Sequence, residues 1–280
     1  MVEATPGGEA IDAASASSTA CRVTQRCRYL PVSSRFAPRS RAHGPAACPA
    51  LAGVRWTDVV DPSLPVPESF VRAHTRPGRP SLVPELELLV AADVVALWEA
   101  MESERGGPAE DPPFWAAAWP GGQALARYVL DAPAVVRGRD VLDLGSGSGL
   151  VAVAAARAGA AEVVASEVDP FGRTAIGLNA QLNGVSGIRV VGDLLAGEPP
   201  RDTVVLAGDV CYDREMTERV LPFLHRARAQ GCDVLLGDPG RPYLPTDRLE
   251  PVAVFDVPET EGPGVRRSTV WQLSPASGRS

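Results

Sequence analysis

At 280 residues, 45% hydrophobic and with a formal net charge of −7, the chain is long enough and apolar enough for one large domain with a sizeable core. The first fifty residues hold six Arg against three acids, so residues 51–280 carry −10. An acidic body argues against a nucleic-acid partner, which needs a basic face against phosphates, and no run approaches the roughly 18 apolar residues of a membrane span.

In chain order, residues 1–50 are rich in Ala, Ser, Pro and Arg, without sustained periodicity. They lack the basic start and apolar block of a secretory signal. The Arg/Ser content between Arg22 and Arg41 is that of an organelle transit peptide, but Glu3, Glu9 and Asp12 argue against one. A disordered tail, or residues upstream of the natural start, is expected here, and with it a soluble, cytoplasmic protein. Of the five cysteines, Cys21, Cys27 and Cys48 fall in this segment and Cys211 and Cys232 stand apart, so no metal-ligand spacing arises. No lysine occurs anywhere, which removes self-methylation of a lysine side chain from consideration.

Residues 51–119 read as an accessory segment. Pro84 and the apolar positions 86, 89, 90, 94, 97 and 98 suit an extended entry followed by an amphipathic helix. The stretch 103–112 is a polar loop by composition, either a lid or a passive linker. Phe114, Trp115 and Trp119 then precede Gly121-Gly122 and a helix over 123–130. Such an aromatic cluster is most often core packing.

Residues 120–280 read as an α/β domain organised around Val141-Leu142-Asp143-Leu144-Gly145-Ser146-Gly147-Ser148-Gly149. A short apolar run, alternating glycines and then an Ala/Val-rich helix describe a buried strand, a tight turn and a helix whose free N–H groups face that turn. The dinucleotide fingerprint wants a third glycine where Leu150 stands. A second strand, 162–166, is followed by Glu167, about 20 residues past the glycines, where such folds hold a ribose. Asp169-Pro170 opens a helix to Leu182. Strands at 188–191, 203–207 and 233–236 then lead to Asp193, Asp209 and Asp238. In an open parallel sheet these ends share the ligand-binding edge. The helix 214–230 contains Pro222, which predicts a kink or a split. Strands at 252–256 and 267–272, with a turn over 259–264 between them, end the chain.

The order Asp143-x-Gly145-x-Gly147-x-Gly149, then Glu167, then Asp193, resembles the seven-stranded S-adenosylmethionine-dependent methyltransferases. Trp119-Pro120-Gly121-Gly122-Gln123-Ala124-Leu125-Ala126, Asp209-Val210-Cys211-Tyr212-Asp213 and Gly237-Asp238-Pro239-Gly240-Arg241 resemble, more narrowly, the lysine methyltransferases of electron transfer flavoprotein β subunit and their bacterial relatives. The likeness runs from about Phe70 to Trp271. It implies a Rossmann-like sheet, mostly parallel with an antiparallel last strand, and helices on both faces. It implies S-adenosyl-L-methionine as cofactor, held by Trp119, Asp143, Gly145, Gly147, Gly149, Glu167 and Asp193. Asp193 would take the adenine amine, and Trp119, over Trp115, would face the methionine part, where an aromatic ring suits a sulfonium. The accessory segment would shape the substrate entrance. Asp209 and Tyr212, in a D-x-x-Y pattern, would orient the attacking amine and wall its channel. The substrate would be a protein, electron transfer flavoprotein β subunit or a ribosomal protein, with no metal, nucleic acid or membrane, and the enzyme a monomer.

The residues themselves leave other classes open. A small-molecule or RNA methyltransferase would share the cofactor turn and differ at the substrate edge. A nucleotide-binding oxidoreductase would need the fingerprint that Leu150 breaks, and a binding module would need no catalytic group.

Overall fold

The computed structural model describes residues 27–29, 66–108, 111–258 and 264–275. The proposed tail, apart from residues 27–29, lies outside the described residues, as do 51–65 of the accessory segment, 109–110 of the candidate lid and 259–263 of the last turn.

The strands are β1 (Cys27–Tyr29), β2 (Thr75–Gly78), β3 (Leu88–Ala91), β4 (Asp140–Leu144), β5 (Glu162–Ser166), β6 (Ile188–Val191), β7 (Val204–Gly208), β8 (Asp233–Asp238), β9 (Leu249–Pro258) and β10 (Val265–Leu273). The helices are α1 (Glu68–His74), α2 (Val94–Arg105), α3 (Pro120–Asp131), α4 (Leu150–Arg157), α5 (Pro170–Leu182) and α6 (Arg214–Ala229). The main sheet runs β1-β9-β10-β8-β7-β4-β5-β6. Strands β6, β5, β4, β7 and β8 are parallel neighbours, and β10 is antiparallel to both β8 and β9. Leaving β1 aside, these are the expected seven strands, mostly parallel with β10 antiparallel. Within residues 1–50, where the sequence suggests no element, β1 adds a three-residue strand to β9.

The period of two explains how the sheet is covered on both faces. Val141, Val163, Val204, Leu206 and Leu235 pack in one core with residues of α3, α4 and α5. Their neighbours Leu142, Val164, Val205, Val234 and Leu236 pack on the opposite face with Val220, Phe223 and Leu224 of α6. Helix α6 is continuous through Pro222, so of the expected kink or split the split does not occur. Its face is seated on the sheet by Val220, Phe223, Leu224 and Ala227, all buried, and this tertiary packing outweighs the single lost ladder bond.

The accessory segment forms the β2–β3 hairpin and α2. Leu86, Leu89 and Val90, in helical spacing with positions 94–98, lie before or within β3; the helix starts only at Val94, where the Asp93 carboxylate accepts from the Val95 and Ala96 N–H groups. Buried Asn179 on α5 ties the hairpin to the glycine turn. Its Oδ1 accepts from Leu89 N at 2.8 Å, and its Nδ2 donates to Ser148 O at 2.8 Å.

Candidate active site

A cavity of about 570 Å³ opens at the C-terminal ends of β4, β5 and β7, the edge where an open α/β sheet binds its ligand. Trp119, Gly145, Gly147, Glu167, Asp193, Asp209 and Tyr212 all line it. Two other expected cofactor residues, Asp143 and Gly149, stand behind the wall.

Asp143 is buried, and its Oδ2 accepts from Ser146 Oγ at 2.6 Å and Ala152 N at 3.0 Å. It braces the turn and the first turn of α4 and does not face the cavity. Burial pushes its carboxyl up to about 6, against the pull of those two bonds. Gly149, at φ 78°, leads into α4, and a Cβ there would press on Ile176 at 3.1 Å; its part is to let the turn close on α5.

Glu167 stands just past β5 with its side chain fixed by two backbone donors. Oε2 accepts from Gly147 N at 2.7 Å and Oε1 from Asp169 N at 2.8 Å. A carboxylate has about four acceptor sites, so acceptor capacity remains for a ligand's hydroxyl. Burial raises this carboxyl to about 7, even though the N–H groups of Asp169 and Gly147 pull the other way. Asp193, further along the same edge, accepts from Leu195 N at 2.8 Å and pairs with Arg219 at 2.9 Å. The next wall comes from α2 and α5, where Arg105 bonds Asp169 at 2.7 Å and lies over the Phe171 ring.

The aromatic strip divides as its burial dictates. Trp115 is 1% exposed and shares a cluster with Leu89, Leu97, Met101 and Phe171, while Trp119 is 40% exposed. Both border the cavity. The Trp119 indole donates to Phe114 O at 2.7 Å, and Phe114 lies 5.3 Å from the Tyr212 ring. Tyr212, half-exposed at the rim, has its phenol pushed up to about 12 by burial and by neighbouring acids, Asp111 first.

Asp209 sits in the left-handed region at φ 59°, which a non-glycine residue adopts only when its surroundings hold it there. Its N–H donates to Gly237 O at 2.8 Å. Oδ2 accepts from Gly122 N, in the first turn of α3, at 2.6 Å, and Oδ1 accepts from Arg241 at 2.6 Å. Burial raises the Asp209 carboxyl while Arg241 draws it back down. Arg241 also reaches Asp238 at 3.2 Å. Burial works to lower the guanidinium's pKa, but Asp209 and Asp238 more than offset it, and the net shift is upward.

Arg241 closes the Gly237–Arg241 segment that carries the family resemblance, but the sequence alone assigned it no role at the site. The signal was available: it follows Asp238 at the end of β8, on the same sheet edge as the other acids. Arg105 carried no comparable signal, since its place against Asp169 depends on how α2 folds back over α5.

The match to a family model covers residues 124–208, that of ribosomal protein L11 methyltransferase (PrmA). Electron transfer flavoprotein β subunit lysine methyltransferase of Xenopus laevis is 36% identical over 222 residues, spanning 76% of this chain and 89% of that protein. The chain belongs to the electron transfer flavoprotein β subunit lysine methyltransferase family. The human enzyme is 37% identical over 226 residues, 77% of this chain and 84% of its own length. Among solved structures, a putative RNA methyltransferase from Pyrococcus horikoshii aligns over 60% of this chain and 92% of its own, at 16% identity and a TM-score of 0.45.

Membership makes the chain an S-adenosyl-L-methionine-dependent protein N-methyltransferase, and the cavity suits that cofactor. Its volume lies within the range of small-molecule sites. The glycine turn brings backbone up to the cavity, and Glu167 on its wall keeps acceptor capacity beyond its bonds to Gly147 and Asp169. The rim carries aromatic faces appropriate to a sulfonium. Among the described residues no cluster of His, Cys, Asp and Glu could hold a metal ion, and no helix is long and apolar enough to cross a membrane.

Proposed function

We propose that this enzyme methylates the ε-amine of a lysine on electron transfer flavoprotein β subunit, with Asp209 and Tyr212 at the substrate end of the cavity and Glu167 and Asp193 at the adenosine end. The observation that carries this reading is the single cavity in which the two ends meet across the glycine turn. The bound cofactor supplies an activated methyl group on a sulfonium. The remaining work is positional: a neutral nucleophile must be brought close and aligned.

A lysine amine has a pKa near ~10.4 in water and arrives as ammonium. It must release its proton to solvent before attack, and the half-buried rim of Phe114, Trp119 and Tyr212 favours the neutral form by withholding water. Asp209 retains acceptor capacity beyond its bonds to Gly122 and Arg241 and orients the amine's remaining hydrogens. In this reading Trp119 lies on the methionine side, Gly145 and Gly147 offer backbone to the cofactor, and Asp143 and Gly149 contribute by holding the turn. The enzyme works as a cytoplasmic monomer. A ribosomal protein is the second substrate to try, since residues 124–208 match the L11 methyltransferase family. That match stops short of Asp209 and Tyr212, so it supports the cofactor chemistry more than the choice of substrate.

The test is incubation of the full chain with radiolabelled S-adenosylmethionine and electron transfer flavoprotein β subunit from the same source, followed by mapping of the labelled residue. A methylated lysine is expected. Label on ribosomal protein only, on RNA, or on a small molecule would overturn the assignment.

A further inference from the structure

We propose that Arg241 is a positioning residue for methyl transfer: from the loop after β8 it keeps the Asp209 carboxylate ionised and aimed into the cavity toward the incoming amine. The inference rests on the reading of Asp209 as the group that meets the amine.

Three observations converge on it. Asp209 occupies a left-handed backbone conformation and is held from two sides, by Gly122 N–H on Oδ2 and by Arg241 Nη1 on Oδ1, each at 2.6 Å. Arg241 is itself delivered by a built turn, in which Asp238 Oδ1 accepts from Gly240 N at 2.6 Å and from Arg241 N at 2.7 Å. The Arg241 side chain keeps 21% of its surface exposed, against 8% for Asp209 and 2% for Asp238, and it borders the cavity together with Asp209 and Tyr212. A purely structural tether needs no opening toward the ligand.

Charge balance makes the dependence specific. Asp209 and Asp238 are two buried carboxylates sharing one guanidinium. Without it, two like charges would remain in a low-dielectric site, and one would take up a proton. Among the described residues the other cation lining the cavity, Arg105, is engaged by Asp169 at 2.7 Å. From its own loop Asp209 is faced by Cys211 and Tyr212, and from beyond β8 by Asp238 and Arg241. Helix α3 offers backbone N–H groups and no charged side chain in its first turn, and elsewhere on the cavity wall, besides Arg105, stand the acids Asp111, Glu167, Asp169 and Asp193. The direction of the Asp209 shift agrees, since burial raises it and Arg241 opposes the rise. A protonated Asp209 would lose the negative charge that holds the amine's hydrogens.

The experiment is the pH profile of kcat/KM on the flavoprotein subunit for the wild type, R241Q, R241K, D209N and the D209N/R241Q double variant, with S-adenosylhomocysteine affinity as a second readout. With S-adenosylmethionine saturating at every pH, which takes Glu167 out of the profile, log kcat/KM in the wild type should rise with pH at a slope near one, from the substrate amine alone. R241Q should lower turnover at neutral pH by about tenfold or more, the effect of moving an essential acid's pKa at least one unit above the assay pH. Its slope should steepen toward two, because two groups must then lose protons. Cofactor affinity should stay within about twofold, since Arg241 lies away from the ribose carboxylate. R241K should restore the wild-type slope, and the double variant should be no worse than D209N and should return to a slope of one. An unchanged slope in R241Q, or losses that multiply in the double variant, would overturn the proposal. A fully active D209N overturns the reading of Asp209 itself, a distinguishable result. If R241Q has no thermal transition, R241M, which keeps the packing of the side-chain stem without the charge, takes its place: its slope should steepen toward two, and a wild-type slope there would overturn the proposal.

Discussion

Gly121 and Gly237 leave no room for a side chain between them: a Cβ on either would run into the other's carbonyl. Gly208 does the same for the neighbouring residue, with an added Cβ only 2.8 Å from Gly122 Cα. The first turn of α3 therefore lies directly on the ends of β7 and β8, close enough for Asp209 to cap it. Gly121→Ala or Gly237→Ala must push α3 off the sheet. A loss of about 1–3 kcal/mol is expected, as for other overpacked cores, read as a lower thermal transition. A transition unchanged from wild type would show that α3 sits less tightly than described.

Much of this was legible in the sequence because two signals reinforce one another. Doubly apolar runs such as Val141-Leu142 and Val204-Val205 mark strands covered on both faces, and an acid just past the run marks the ligand edge. Those signals locate Glu167, Asp193 and Asp209 at one cavity. They do not give side-chain direction: Asp143 belongs to the same series, yet it points back to Ser146 and Ala152. Nor do they give pairings across loops, and Asp209 finds Arg241 32 residues away. The β2–β3 hairpin was hidden because Leu86, Leu89 and Val90 satisfy a helical spacing, while Leu89 and Val90 pair with β2 as strand and Leu86 lies in the turn before them. The uninterrupted α6 shows packing overriding the local preference of Pro222.

Glu167 should make cofactor binding depend on pH. Its carboxyl titrates at about 7 in the ligand-free protein, and the ionised form is the one that accepts from ribose hydroxyls. Affinity for S-adenosylhomocysteine should be full above pH 7 and weaken as the pH falls through it, by up to about tenfold per unit. Stability runs the other way. The folded pKa lies above the unfolded value of 4.5, so the group's contribution is present below about pH 4.5 and is lost as pH rises through about 7. Calorimetric titrations at pH 6 and pH 8 check the binding. Glu167→Ala should cost roughly 1–3 kcal/mol of affinity at pH 8 and abolish the pH dependence, while Asp193→Asn, at a more exposed acid, should cost less. A binding constant that Glu167→Ala leaves alone would remove it from the ribose site.

A chain beginning at Leu51 should fold and bind cofactor. It loses β1, which pairs with β9 at the end of the main sheet away from β4 and β5. Among the described residues the cavity lining comes from positions after 104. The expected result is a cooperative thermal transition and unchanged S-adenosylhomocysteine affinity. An insoluble product would make the N-terminal fifty residues structural.

Asp209→Asn should reduce turnover on the order of 100-fold, the low end of what positioned polar groups contribute to proton-transfer chemistry, while S-adenosylhomocysteine affinity changes little. The carboxylate touches α3 and Arg241 and no part of the Glu167 wall, which separates the two effects. Equal losses of turnover and affinity would move Asp209 into the cofactor site.

Tyr212 invites assignment as a general base, and its surroundings rule against that. Burial and nearby acids, Asp111 first, hold the phenol at about 12, so it stays protonated across any practical assay range. What it offers is a ring, 37% exposed at the cavity rim and 5.3 Å from Phe114, and an O–H that can donate or accept without ionising. Tyr212→Phe keeps the ring and should retain most of kcat, with a modest rise in KM for the protein substrate. Tyr212→Ala opens the rim to water and removes the wall that aligns the amine, so kcat should fall further, by about 10- to 100-fold for a misplaced nucleophile. Neither variant should alter the acidic limb of the pH profile, which belongs to the substrate amine. A Tyr212→Phe enzyme as inactive as Tyr212→Ala would assign the reaction's dependence to the hydroxyl, and the wall would cease to be the explanation.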